Sequence, residues 1–420
     1  MMRWVALALL AAAIFPPFVG VLGPLSLDDL LPLIAVLILF PSMLSGGRPS
    51  DPVFLGFAFL AAAGLLSAAV NARDLGELLR CAGRGSGRAI FYAMLVHGVQ
   101  SAFDPDRCAR GDATASRIRR AVTSFLVVAA SIEATFCVLA FVTEYRGPLG
   151  LGLADVPEWS VLKGHSRVQG TFGGELGPYD SSSVSANFLA AYLVLVIPPT
   201  VALGLAAQGR ALRVAIGTAA ALMVVALYLT YTRAALAALA VAILAFGFFM
   251  GRRREALLAV VLGVVTALAV PTMRQKILSE GHDRYALWSA AVAVIAEHPL
   301  TGVGDGNYLA TLERDPVLAQ SRFGLASTTA HNSIMLSAAH HGIPGGVAHA
   351  LLDVLALVSI AIALGRAKGE ARLLAAGLAA GFIGFLVQDQ SNDLSYVPKV
   401  ATQAWLVFAL LPVIARPPRT

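Results

Sequence analysis

The chain has 420 residues, 57% of them hydrophobic and only 13% charged, and its mean hydropathy is +0.75, whereas an ordinary soluble domain carries roughly 25% charged residues. That composition excludes a soluble enzyme and predicts an all-α, polytopic membrane helix bundle, in which every span satisfies its own backbone polar groups. The formal charge of +6 is an arginine excess that cytoplasmic loops account for, so no nucleic-acid partner is expected; Cys81, Cys108 and Cys137 show no CxxC or Cys/His spacing, so neither a disulfide framework nor a metal is expected.

In chain order, "MMRWVALALLAAAIFPPF" has the charge and apolar run of a signal peptide, but with many spans following it is read as an uncleaved first helix. Apolar runs near 4–20, 30–45, 52–70, 88–103, 121–143, 186–206, 212–231, 232–250, 256–272, 333–365, 371–387 and 400–415 predict about twelve spans within one integral membrane domain, 1–420. An even number puts both termini on one side. The basic clusters at 104–120, 208–213, 251–255, 365–372 and the tail "ARPPRT" all fall on that side, which makes it cytoplasmic. Two long polar segments, 144–185 and 273–332, then lie on the periplasmic face with "QDQSNDLSYVPK", 388–399; loops of this length are usually functional. The stretch "NARDLGELLRCAGRGSGR", 71–88, also lands outside despite its arginines. Either a span boundary there is misplaced, or Arg80, Arg84 and Arg88 face an anionic lipid or substrate group. No fixed-period repeat is visible, and the paired broken helices of secondary transporters are not seen.

Within the second loop, Tyr285–Ala296 has an amphipathic helical pattern that ends at His298-Pro299 and runs into Gly302, Gly304 and Gly306. No strand precedes these glycines and no Lys-Ser/Thr helix follows, so they are not a phosphate loop. Arg284 opens this helix, Arg233 sits in "LTYTRAALAAL", and Arg167 in "HSRVQGTFGG". Each alone reads equally as a snorkelling arginine. Three guanidinium forks on one outer face match the oxygens of a diphosphate.

The stretch "AHNSIMLSAAHHGIPGG", 330–346, places His331, His340 and His341 before a Gly-x-Pro-Gly break. His331, followed by Asn332, opens a span at the membrane surface, where an imidazole can accept a proton from a hydroxyl. As neighbours on a helix, His340 and His341 are expected on different faces. Gly342, Pro344, Gly345 and Gly346 interrupt the span, which a bilayer tolerates only where neighbours or a cavity satisfy the freed backbone. Asp389 and Asp393 follow the eleventh span; a carboxylate there orients a histidine, holds an acceptor sugar or is simply solvated.

His331-Asn332 followed after nine residues by Gly342-x-x-Gly345 resembles the histidine signature of bacterial O-antigen ligases and their wider ligase and polymerase superfamily. "RYALWSAAVAVIAEHPLTGVGDGNY", "RVQGTFGG" and "YTRAALAAL" are similar to neighbouring blocks of that family, so the resemblance covers roughly 165–350. It implies a membrane-embedded GT-C-type glycosyltransferase, metal-independent, inverting and without cofactors. Such an enzyme takes a glycan from undecaprenyl diphosphate at the periplasmic face of the inner membrane and, in the ligases, places it on the lipid A-core. Carried over, His331 is the base or acceptor-orienting residue, and Arg233 and Arg284 bind the diphosphate, with Arg167 the weaker match. The family's asparagine after the arginine block is displaced here by "GGELGPYDSSSVSAN", leaving Asn187 as its best counterpart. Asn332, His340, His341 and Asp389 join Arg80, Arg84 and Arg88 as further substrate-binding candidates.

Two rivals remain. One is a polymerase or a protein-glycosylating member of the same superfamily; protein-glycosylating members tend to carry an extra C-terminal region, whereas this chain stops five residues after its last predicted span. The other is a lipid-linked glycan transporter, for which Glu133, inside the span 121–143, is the mark.

Overall fold

The apolar runs fold as helices in a computed structural model that describes residues 1–16, 20–22, 25–47, 49–104, 112–155, 165–173, 182–278, 282–314 and 329–416. In chain order these are α1 (Met2–Ala12), α2 (Leu27–Ser45), α3 (Val53–Asn71), α4 (Leu75–Ala82), α5 (Arg88–Ala102), α6 (Asp112–Val142), α7 (Ser182–Ala206), α8 (Arg210–Leu229) and α9 (Arg233–Phe249). They continue as α10 (Arg253–Ala269), α11 (Pro271–Leu278), α12 (His282–Glu297), α13 (Tyr308–Arg314), α14 (Ser333–Arg366), α15 (Gly369–Asp389) and α16 (Pro398–Ala415). Two short antiparallel hairpins interrupt them, β1 (Gly20–Leu22) with β2 (Leu25–Ser26), and β3 (Gly152–Asp155) with β4 (Ser166–Gly170).

Each predicted run overlaps a helix, residues 17–19 of the first lying outside the described residues, but twelve spans are not found. Among the described residues seven helices are long and apolar enough to cross a membrane, α3, α6, α7, α8, α14, α15 and α16, or eight if α10 and α11, bent by 102° at Val270, count as one. The remaining runs are shortened by local breaks. The first helix stops at Ala12, well short of the predicted residue 20, and α5 starts only after a π-helical turn over Gly83–Gly87. At 11 residues, α1 suits a buried core helix better than a span. The bundle centre is made by α7, α15 and α16, whose apolar windows are 89%, 72% and 89% buried. Residues buried all round along a helix mark a core position, where lipid contact is left to the neighbours.

Side-chain contacts sort the connections to two ends. At one end Arg120 pairs with Glu370, Arg119 donates to the Arg416 carbonyl, Arg416 pairs with Asp104, and Arg372 donates to the Phe249 carbonyl. These are the segments whose basic clusters the sequence groups together. At the other end Lys399 donates to the carbonyls of Pro16 and Thr171 at 2.8 and 2.7 Å, and Gln388 reaches the Asn187 carbonyl. Glu133, in α6, belongs to this second end. Its carboxylate accepts from the backbone N–H and hydroxyl of Thr171, both at 2.8 Å, and so clamps the turn after β4 onto the bundle. Gly170 fits there because a Cβ would collide with Glu133 Oε1.

Candidate active site

The helix α14 breaks where the sequence says it must. Gly342 has φ 73° and ψ −179° inside an otherwise helical run. Pro344 lacks the N–H that would reach the His340 carbonyl four residues back. That carbonyl instead accepts from the Gly304 N–H at 2.9 Å and from the Ser67 hydroxyl at 2.8 Å. The Ile343 N–H, whose ordinary partner is the Ala339 carbonyl, donates to Pro299 O at 2.7 Å, while Ala339 O accepts from Val303 N at 3.0 Å. Residues 299–304 thus form a strap that takes over the helix's missing bonds, the condition under which irregular backbone is tolerated at membrane depth. Gly302 and Gly304, at φ of 59° and 84°, supply the left-handed backbone of this strap, and Gly306, at 87°, that of the turn after it.

Beyond the break, α14 starts at an N-cap. Asn332 accepts from the Met335 N–H at 2.9 Å and donates to the Gln390 carbonyl at 3.0 Å, so both ends of its amide hold the protein. His331, just before it, sits at φ 49°, a conformation uncommon outside glycine and concentrated at functional positions. That kink turns the imidazole toward the turn between α15 and α16. There Nδ1 lies 3.3 Å from Asp393 Oδ1, which also accepts from the Thr329 hydroxyl at 3.0 Å. Burial alone would raise the Asp393 carboxyl, but its contacts with His331 and Thr329 hold it below its usual range. An ionised carboxylate only accepts, so Nδ1 carries the proton, and in the neutral ring Nε2 is then the acceptor. The histidine side chain is 27% exposed and the aspartate 10%: the carboxylate is sequestered while the ring remains reachable.

The arginines gather at the same end of the bundle. Arg167, on β4, donates through Nε to Thr230 O at 2.6 Å and through Nη2 to Asn187 Oδ1 at 2.8 Å and Thr232 Oγ1 at 2.9 Å. Its burial pushes the guanidinium down to about 10, still charged at neutral pH. Asn187 and Arg167 therefore bind each other and fix the turn 230–232, from which α9 starts with Arg233. Arg284 lies near enough to Arg233 that burial first, and then the neighbouring charge, lowers its pKa from the usual arginine value. Two cations brought together at a partly buried position favour an anion between them. Asn187, through its carbonyl, also contacts Gln388 in α15, and Asn332 contacts Gln390 just beyond it. The C-terminal end of α15 thus ties the arginine group to the histidine.

Other residues singled out by sequence form a separate cluster. His340 Nδ1 and His341 Nε2 lie 3.8 and 3.7 Å from the same oxygen of Asp305. The expectation that these neighbours face apart is corrected: Asp305, carried by the strap, sits over the broken turn and lies within reach of both rings. Burial raises the Asp305 carboxyl, but His340, His341 and Arg88 outweigh it and hold it well below the ordinary range. A cavity of about 30 Å³ beside it is lined by Arg84, Arg88, Asp305, His341, His349 and Tyr396 among others, room for about one water. Asp389 is fully buried. It accepts from Ser333 at 2.6 Å and from the N–H and hydroxyl of Ser395 at 2.8 Å each, and it faces His349 at 3.8 Å. Of the two carboxylates, then, Asp393, in the turn after α15, orients His331, and Asp389, the last residue of α15, joins the helix ends. Sequence reasoning missed Asp305, Thr329 and His349; nothing in their local spacing marks them. Among the described residues no group of three His, Cys, Asp or Glu side chains is placed to hold a metal ion.

The segment that carries the strap, the break and His331 is also the one with a recognisable family. Residues 218–350 match the family model described as O-antigen ligase. The match spans roughly a third of the chain and includes Arg233, Arg284, Asp305, His331, His340 and His341. Asp393, Arg167 and Asn187 lie outside the matched residues, so the ring's carboxylate partner comes from a later turn and the arginine scaffold from an earlier one. No curated protein matches the chain.

Proposed function

We propose that this protein is a glycosyltransferase that moves a glycan from undecaprenyl diphosphate to the lipid A-core at the periplasmic face of the inner membrane, without metal and with inversion. The observation that carries this reading is a reachable histidine, held by a buried carboxylate, at the same bundle end as the Arg233–Arg284 pair. The acceptor hydroxyl attacks the anomeric carbon and gives its proton to His331 Nε2. The bond from that carbon to the diphosphate breaks, and Arg233 and Arg284 take up the departing charge. Arg167 and Asn187 act as positioning residues for Arg233. Direct displacement inverts the anomeric centre. The basic clusters at the opposite end agree with a cytoplasmic location there.

The test is transfer in vitro from glycan-loaded undecaprenyl diphosphate to purified lipid A-core, by the purified full chain in the presence of EDTA. Activity should persist in EDTA, and Arg233→Gln or Arg284→Gln should each weaken use of the donor by about ten- to a hundredfold, the worth of a charge-assisted hydrogen bond. Transfer to a second lipid-linked unit or to protein serines, with none to lipid A-core, would instead assign a polymerase or a protein-glycosylating enzyme. No transfer by a folded, donor-binding protein would overturn the reading.

Glu133 separates transferase from transporter. Its two bonds to Thr171 give it a structural task, so Glu133→Gln should lower thermal stability by about 1.5–3 kcal/mol and leave transfer by the folded fraction within a few-fold. A Glu133→Gln protein as stable as wild type yet inactive would favour a proton-coupled translocation path.

A further inference from the structure

The arginines of the 71–88 segment contact Asp305, Asn307 and Tyr396, and these surroundings point to a ligand different from that of the Arg233–Arg284 pair. Helix α4 is amphipathic: Leu75 and Leu79, one turn apart, are 69% and 65% exposed, while Cys81 faces inward and is buried. The exposed apolar surface continues from Leu66 and Val70 on the membrane-spanning helix α3 directly before it. A short helix with bare leucines, joined to the end of a span, lies in the plane of the membrane–water boundary.

Arg80, Arg84 and Arg88 follow at intervals of four, along the helix and the π turn that prolongs it. A methyl group at Gly306 would sit 2.5 Å from Arg84 Nη1 and 2.7 Å from Arg80 Nη1, so the missing side chain lets both guanidinium groups close over one backbone position of the turn after the strap. Arg80 is anchored by Asn307 Oδ1 at 2.8 Å. Arg88 packs on the Tyr396 ring at 4.9 Å and faces Asp305. Arg84 is exposed and makes no side-chain hydrogen bond or ion pair among the described residues. A snorkelling arginine reaches away from its neighbours into water; here two like charges converge, which favours a shared anion.

We propose that Arg84, flanked by Arg80 and Arg88, binds the phosphate of an anionic phospholipid headgroup at the bundle edge, a lipid site distinct from the donor's diphosphate site. Exposed leucines in the acyl layer and a guanidinium pair at headgroup level complement such a lipid.

The experiment measures binding of fluorescent short-chain phosphatidylglycerol, zwitterionic phosphatidylcholine and farnesyl diphosphate to the detergent-purified full chain. Arg84→Gln should weaken phosphatidylglycerol binding about fivefold, and Arg84→Gln with Arg88→Gln by more, as expected for surface charges near an anionic lipid. Phosphatidylcholine and farnesyl diphosphate binding should not change, and Arg84→Lys should retain part of the affinity, since it keeps the charge but loses the fork. If the double variant unfolds through loss of the Tyr396 contact, the single Arg84 variant decides. Unchanged phosphatidylglycerol binding would overturn the proposal, and so would a loss confined to farnesyl diphosphate, which would make the stripe part of the donor site.

Discussion

His331→Ala is expected to lower glycan transfer by about 10²- to 10⁴-fold, the usual contribution of a positioned general base, while the donor still binds. The size follows from geometry: the Nδ1 contact with Asp393 leaves Nε2 as the ring's one acceptor, and no other imidazole near it is comparably exposed, since His340, His341 and His349 are all buried. Asp393→Asn tests the orientation separately. The amide can offer its N–H to Nδ1 and so favour the wrong tautomer, which should reduce kcat at least tenfold with little change in KM for the donor. A merely structural aspartate would lower the amount of folded protein and leave kcat of that fraction alone. The pH dependence has a definite sign. The Asp393 carboxyl is held below its unfolded value of about 3.9, so its stabilising contribution is complete at neutral pH and is lost only as pH falls below about 4 toward the depressed value. If His331→Ala kept more than a tenth of wild-type transfer, the ring would be an acceptor-positioning group at most.

Hydrophobic periodicity and breaker residues made much of this arrangement readable in advance. Each predicted apolar run became a helix because an uncharged run has few alternatives in a bilayer, and Gly342 with Pro344 announced the break in α14 because proline removes a specific hydrogen bond. Hydropathy counts runs, however, and not whether the helix that forms is long enough to cross, and α1 at 11 residues, α5 at 15 and α9 at 17 are shorter than the seven that are. The partners of the histidines were not readable because they depend on chain packing at long range. Asp305 reaches His340 and His341 only because the strap folds back over the break, and the choice of Asp393 over Asp389 for His331 rests on a single turn of backbone after α15. Arg167 illustrates the opposite case. Its residue type suited a diphosphate, but burial among Thr230, Thr232 and Asn187 turned two of its donor groups toward the protein.

The strap makes the second large prediction. A Cβ at Gly302 would lie 2.4 Å from the His340 carbonyl carbon, and one at Gly342 would lie 2.4 Å from the Leu300 carbonyl carbon. Both are backbone atoms, so no rotamer change relieves the overlap, and both glycines have left-handed φ, 59° and 73°, which adds about 1–2 kcal/mol for any L side chain. With about 1–3 kcal/mol for overpacking, Gly302→Ala and Gly342→Ala should each destabilise by on the order of 3 kcal/mol, read as a fall in the thermal unfolding midpoint of the detergent-purified protein. Gly365, on the same helix, is the internal control. Nothing lies within 4 Å of its Cβ position and its φ is not left-handed, so Gly365→Ala should be neutral or stabilise by up to about 1 kcal/mol. The contrast matters more than either number, because all three changes add one methyl group to one connected element. Equal midpoints for Gly302→Ala, Gly342→Ala and Gly365→Ala would mean that residues 299–304 do not pack on the broken turn. His340 would then lose the partners that keep its carbonyl satisfied, and Asp305 its place beside both histidines. A loss confined to the first two would establish the strap as the part that makes a broken span stable next to His331.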